Sequence, residues 1–280
     1  MERIKKALER ARQERETGDK GPALTTSAVP PAPVDQRTDV RARGDENIEY
    51  TQTRVVPVSH DVLRRSRVIA GLGAGPVTDA YGMLRTRVLH RLRQNAWQAL
   101  AVTSPGQGEG KTLTAVNLAV SLAREVNHTV LLVDFDLRRP SIHRYFGYQP
   151  KKGLSDYLNG SATVGELLFN PSLDRLVVLP NTVPMSNSSE ILSSPTLVRL
   201  VEDLKSRYPD RLVIFDLPPL LSTDDALAFS PYVDAVLMVV EEGRTRRSQL
   251  ERSVETLAGN AALLGTVLNK SHEALNIDYY

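Results

Sequence analysis

The segment Ala99–Thr103 is apolar and strand-sized, and it runs directly into Ser104-Pro105-Gly106-Gln107-Gly108-Glu109-Gly110-Lys111-Thr112. Glycines at alternate positions let backbone N–H groups curl around an anion, because no Cβ blocks the approach. A helix starting at Lys111 adds the positive end of its dipole. Lys111 is then placed to reach the β- and γ-phosphates of a nucleotide, and the Thr112 hydroxyl to ligate Mg²⁺. The strict pattern G-x-x-x-x-G-K-[ST] has glycine where this chain has Pro105, while Gly106, Gly108 and Gly110 remain. The plain alternative is a glycine-rich turn before an ordinary helix. The Gly110-Lys111-Thr112 triplet in a strand–loop–helix context argues against it.

Two further apolar segments end in carboxylates. One closes with Val133-Asp134-Phe135-Asp136-Leu137-Arg138-Arg139-Pro140 and the other with Phe215-Asp216-Leu217-Pro218-Pro219. Carboxylates at the C-terminal ends of parallel strands face the ligand crevice. Asp134 and Asp136 are two apart, so they point the same way in extended chain. Three carboxylates near one triphosphate suit Mg²⁺, a hard ion that prefers oxygen ligands and keeps waters. Each Asp alone would serve as well to cap the loop after its strand.

The elements that must position these residues are legible as an alternation. Expected strands are Ala99–Thr103, Val130–Asp134, Leu176–Leu179, Leu212–Phe215, Ala235–Val240 and Leu263–Leu268. Expected helices between and before them cover 78–94, 111–126, 190–207, 223–230 and 245–258. Strands apolar on both faces, separated by helices, predict an α/β fold with a mostly parallel sheet and helices on both sides. Thr78 is expected to cap the first of these helices, with Tyr81, Leu84, Val88 and Leu92 on one face.

Before this region the composition changes. Residues 1–16 read as a short amphipathic helix with Ile4, Leu8 and Ala11 at helical spacing, and 17–57 as a disordered linker whose 17–47 stretch holds four prolines and few large aliphatics. The main domain is expected over 58–270, and 271–280 is a flexible tail bearing Tyr279 and Tyr280.

Composition excludes several classes. The 280 residues carry 35 Lys+Arg against 33 Asp+Glu and no cysteine. Disulfides, thiolate zinc sites, iron–sulfur clusters and cysteine nucleophiles are therefore out. The five histidines lack metal-ligand spacing, and near-neutral charge gives no case for nucleic acid as a partner. No run approaches the roughly 18–20 apolar residues of a membrane span. The N-terminus is charged from Glu2 and has no apolar signal region. A cytoplasmic protein is expected, peripheral to the inner membrane through a partner.

Taken together, the glycine loop, Asp134-Phe135-Asp136 and Phe215-Asp216-Leu217-Pro218-Pro219 resemble the three Walker motifs A, A′ and B of bacterial protein-tyrosine kinases, the kinases of exopolysaccharide and capsule export. The resemblance extends from about Thr78 to Lys270. It includes Pro140-Ser141-Ile142-His143, Asn187-Ser188-Ser189-Glu190 and Val267-Leu268-Asn269-Lys270. The N-terminal Ile4-Lys5-Lys6-Ala7-Leu8-Glu9 and the linker are similar to a stand-alone subgroup linked to an exosortase polysaccharide system.

This resemblance implies a P-loop fold of the MinD/ParA-like class, with ATP and Mg²⁺ held by residues 106–113 (Gly106, Gln107, Gly108, Glu109, Gly110, Lys111, Thr112, Leu113) and with Asn269 at the adenine. Thr112, Asp136 and Asp216 would hold Mg²⁺. Lys111, Asp134 and Asp136 would be catalytic, with Asp134 near the γ-phosphate and able to take the phenol proton. The implied acceptors are Tyr279 and Tyr280, phosphorylated in trans within a homo-oligomer, together with other protein tyrosines. The implied activator is a membrane-anchored polysaccharide chain-length regulator. A family segment that usually reads Glu-x-x-Arg-x-x-Arg and drives ring assembly reads Asp79 through Arg85 here, with Gly82 at the middle arginine.

Two other functions share such a fold: a MinD/ParA-type ATPase switch and an ATP-binding scaffold of polysaccharide machinery. The switch ATPases usually carry a second lysine early in the loop, and Gly106 stands at that place. Retention of Lys111, Asp134, Asp136 and Asp216 argues against a scaffold that has lost its chemistry.

Overall fold

The computed structural model describes residues 53–70 and 72–271. The expected helix over 1–16, the linker up to residue 52, and Tyr279 and Tyr280 lie outside the described residues.

In chain order the elements are β1 (Arg54–Val55), α1 (His60–Arg65), α2 (Pro76–Asn95), β2 (Ala99–Thr103), α3 (Lys111–Ala123), β3 (Thr129–Asp134), α4 (Ile142–Tyr145), α5 (Leu154–Leu158), α6 (Val164–Leu167), β4 (Phe169–Asn170), β5 (Leu176–Leu179), α7 (Ser188–Leu192), α8 (Pro195–Ser206), β6 (Arg211–Asp216), α9 (Asp225–Phe229), β7 (Ala235–Glu241), α10 (Arg247–Leu257) and β8 (Ala262–Asn269). They form one eight-stranded sheet in the order β1-β4-β5-β3-β6-β2-β7-β8. Every pairing is parallel except β4 with β5. The expected α/β class with a mostly parallel sheet is what the chain adopts.

The central strands explain this layering. Leu100, Val102, Leu132, Ile214 and Leu237 face one side, where Val88 and Leu92 of α2 and Ala115, Leu118 and Leu122 of α3 cover them. Ala101, Val133, Phe215 and Met238 face the other, against Leu197, Leu200, Val201 and Leu204 of α8. Each Val, Leu, Ile, Phe or Met side chain among them contributes about 1.5–3 kcal/mol of transfer free energy when fully buried. Beneath the carboxylate-bearing strand ends, Phe135, Phe215 and Phe229 stack on one another with centroids 4.9–5.1 Å apart. Burying that triplet fixes where the chain leaves β3 and β6.

Some local expectations need correction. The first long helix begins at Pro76, with Gly75 as its cap. Thr78 does not cap it: its hydroxyl donates to the Ile69 carbonyl. Proline at the first helical turn lacks only an N–H that would be unpaired anyway. The single helix expected over 190–207 is two, α7 and α8, because Ser194 caps Leu197 N–H and Pro195 starts a new helix. Residues Arg54–Val55, expected inside the linker, form β1 beside β4. Sequence reading also passes over β4, a two-residue strand that closes the sheet antiparallel to β5.

For function, register matters most. Asp134 and Asp216 are direct partners across β3 and β6, and Asp216 is in turn level with Val102 of β2. Both carboxylates therefore lie at the C-terminal edge, where the glycine loop leaves β2.

Candidate nucleotide site

The glycine loop joins β2 to α3 as the sequence requires, with helix α3 starting at Lys111. Gly108 and Gly110 take positive φ, +79° and +93°. A Cβ on Gly110 would fall on the Asn269 side-chain amide, so that position needs glycine on two counts. The Gln107 and Gly108 backbone is exposed at the tip, whereas Glu109 is buried.

Lys111 and the acids converge. The Lys111 ammonium lies 2.7 Å from Asp136 Oδ2, 3.2 Å from Thr112 Oγ1 and 3.6 Å from Asp216 Oδ1. Thr112 donates its hydroxyl to Asp216 Oδ2 at 2.7 Å. Asp134 turns one oxygen to the chain after it, where Oδ2 accepts the N–H groups of Ser141 and Ile142, each at 2.9 Å. Asp136 uses Oδ1 to hold the Arg139 N–H at 3.0 Å. Asp134 Oδ1 and Asp216 Oδ1 are buried without a hydrogen bond. Thus the structure brings Lys111, Thr112, Asp134, Asp136 and Asp216 to one edge of the sheet. Leu113, one residue further into α3, has a half-buried side chain, and its carbonyl accepts from Asn117.

Burial controls the charges. It pushes Asp216 up to about 6, against the opposing pull of Lys111. Burial, with the Asp216 charge added, pushes Asp134 well above the ordinary carboxylate range. Burial alone would lower Lys111, but Asp216 and Asp136 outweigh it and hold the ammonium above its usual value. The result is a negative pocket with a cation already seated in it.

That seated ammonium tests the fit of a second cation. The donor set is oxygen only, the donors are held in place, and Asp216 Oδ1 accepts no hydrogen bond, with only the Lys111 ammonium 3.6 Å away. These features suit a hard divalent ion. The three carboxylates are not by themselves a metal centre: among the described residues, no group of three acidic or imidazole side chains closes on one point. Asp134 is spent largely on backbone N–H groups, so the remaining ligands must come from Thr112, phosphate and water.

Several residues around the loop escape sequence reading. Arg139 donates to the Gln107 side chain at 2.9 Å, over the loop tip. Arg138 grips the buried Asp225 through two nitrogens, at 2.9 and 3.2 Å, and Ser188 donates to the same carboxylate. Asn269 does reach the loop, donating to the Glu109 carbonyl at 2.8 Å. Lys270 donates to the Gly108 carbonyl, and Thr245 to the Glu109 carboxylate. Their sequence separations, from 32 to 162 residues, leave no local signal. Arg244 pairs with Glu241 and hangs beside Gly108.

Residues 100–278 match the family model described as the CobQ/CobB/MinD/ParA nucleotide binding domain. The chain is 30% identical over 203 residues to the tyrosine-protein kinase YwqD of Bacillus subtilis (strain 168), covering 72% of this chain and 84% of that one. It belongs to the bacterial protein-tyrosine kinases. A second relative, the tyrosine-protein kinase CpsD of Streptococcus agalactiae, is 29% identical over 197 residues, 70% of this chain and 84% of CpsD. Among solved structures, the kinase domain of Escherichia coli tyrosine kinase ETK superposes with a TM-score of 0.68 at 26% identity, covering 81% of this chain and 91% of that one. Among the described residues of this kinase, no helix is long and apolar enough to cross a membrane.

Proposed function

We propose that this kinase moves the γ-phosphate of Mg²⁺-ATP onto tyrosines of its own tail, Tyr279 and Tyr280, in trans between copies, and onto other protein tyrosines. The observation that carries the reading is the Lys111 ammonium seated among Asp136, Thr112 and Asp216 under a glycine loop. That grouping holds the charges a triphosphate and its metal need.

The loop over residues 106–112 cradles the phosphates with the backbone N–H groups that follow Gly106, and Lys111 draws charge from the β- and γ-oxygens. Thr112, Asp136 and Asp216 are the residues to hold Mg²⁺, which when bound neutralises phosphate charge. The resemblance supports a place for Asn269 at the adenine. Asp134 accepts the phenol proton at Oδ1. Burial raises its proton affinity, which makes the ionised form a stronger base for a group of pKa about 10. A bond forms from the tyrosine oxygen to the γ-phosphorus, and the bond to the β,γ-bridging oxygen breaks. ADP leaves with that electron pair.

The tail reading rests on reach. Tyr279 and Tyr280 are 9 and 10 residues past Lys270, which spans at most about 30–36 Å when extended. The resemblance also supports membership of the stand-alone, exosortase-linked subgroup, control of exopolysaccharide synthesis or export, and activation by a membrane-anchored chain-length regulator that brings the kinase to the inner membrane. The domain reading follows: a helix over 1–16, a linker, a kinase domain ending near residue 270, and the tail.

The test is incubation of the purified full chain with ATP and Mg²⁺, then mass-spectrometric mapping. Phosphate on Tyr279 or Tyr280 is expected. Phosphotyrosine confined to other positions removes the tail from the account.

A further inference from the structure

A carboxylate inside a phosphate-binding loop is a paradox, because it repels the ligand the loop exists to hold. Glu109 is such a residue, and it is 3% exposed. Its oxygens are both engaged: Oε2 accepts the Gly106 N–H at 3.0 Å, and Oε1 accepts the Thr245 hydroxyl at 2.6 Å. Thr245 lies in the turn between β7 and α10, 136 residues away. Its oxygen also accepts the Glu241 N–H at 2.9 Å. A hydroxyl can accept from a backbone N–H while donating to a carboxylate; a methyl group in its place does neither.

The loop carbonyls are tied down as well. Ser104 donates to the Gly106 oxygen at 2.7 Å, Lys270 to the Gly108 oxygen at 2.8 Å and Asn269 to the Glu109 oxygen at 2.8 Å. Across a trans peptide the carbonyl and the next N–H point in opposite directions. Anchoring these three oxygens to the protein therefore turns the N–H groups of Gln107, Glu109 and Gly110 the other way. Among the described residues, those three N–H groups have no protein acceptor. They are the donors a phosphate requires.

We infer that Thr245 and Glu109 are positioning residues for the nucleotide: a clasp from the β7–α10 turn that, with Asn269 and Lys270, holds the loop in its phosphate-receiving form before ligand arrives. The inference rests on the nucleotide-site reading above and deepens it. Neither residue touches the reacting atoms in this scheme. The clasp lowers the reorganisation that binding would otherwise demand.

The test uses the full chain and titrates MgADP and MgATP by calorimetry, alongside steady-state kinetics. Thr245→Val is expected to weaken nucleotide binding and raise the KM for ATP about tenfold, the effect of losing one charge-assisted hydrogen bond, with kcat at saturation within about twofold. Thr245→Ser, which keeps the hydroxyl, is expected to bind within about twofold of the parent. Glu109→Gln has one acceptor oxygen where two are needed, so it should show a similar loss. The double variant Thr245→Val/Glu109→Gln should be no worse than either single one. Parent-like affinity in Thr245→Val, an equal loss in Thr245→Ser, or additive losses in the double variant would each overturn the inference. In those cases the parent still binds MgADP and the nucleotide site stands; a parent that binds no nucleotide defeats both.

Discussion

Replacing Asp216 with asparagine separates what the site costs the fold from what it contributes to function. Asp216 is fully buried at the end of β6, with Thr112 on one oxygen and the Lys111 ammonium 3.6 Å from the other. Burial lifts its carboxyl from 3.8 to about 6 even with that cation beside it. A folded-state pKa raised above the unfolded one means that the folded chain holds the proton more tightly. The penalty is absent below about pH 4, grows as pH rises, and is complete above about pH 6. At neutral pH the difference corresponds to ~3 kcal/mol against the fold. Asparagine keeps the acceptor for Thr112 and removes the buried charge. Asp216→Asn is therefore expected to stabilise the metal-free protein by up to ~3 kcal/mol at pH 7, or about 6–12 °C in Tm for a domain of this size. At pH 4 the two proteins should melt together. The assay is thermal and urea unfolding in EDTA across pH 4–8, paired with Mg²⁺-dependent nucleotide binding, which the variant should lose. A variant less stable than the parent at pH 7, or a gain that does not change with pH, would refute the reasoning.

Two other perturbations probe the same edge of the sheet. Gly110→Ala puts a Cβ on the Asn269 amide at φ +93°; it is expected to lose at least tenfold in nucleotide affinity and about 1–2 kcal/mol of stability, with Asn269→Ala restoring only part of either, as read by calorimetry and melting. Asp134→Asn retains an acceptor for the Ser141 and Ile142 N–H groups but cannot take a proton from a phenol. Its turnover is expected to fall about 100-fold or more while nucleotide affinity stays within about threefold; equal losses in both would assign Asp134 to nucleotide binding alone.

What the sequence makes legible is whatever local chemistry dictates. Lys111, Thr112, Asp136 and Asp216 come together because each ends or follows a parallel strand, and parallel strands present their C-terminal ends on one edge. The central strands are readable because they are buried on both faces and carry continuous aliphatic runs. What escapes is whatever depends on distant pairing. Thr245 reads as the start of a surface helix, and only the fold brings it to Glu109. Arg138 looks like a loop arginine until Asp225 and Ser188 are seen to meet it. The break at Pro195 was readable in principle, since Ser194-Pro195 is a helix-start signal, but the apolar pattern of α8 hides it.

The most direct measurement supplies γ-labelled ATP and Mg²⁺ to the full chain and to Lys111→Met, then assays acid-stable phosphotyrosine and free phosphate together. Label is expected on tyrosine in the parent, and none in a Lys111→Met protein that is still folded. Label released only as free phosphate, or tyrosine label undiminished in Lys111→Met, would contradict it.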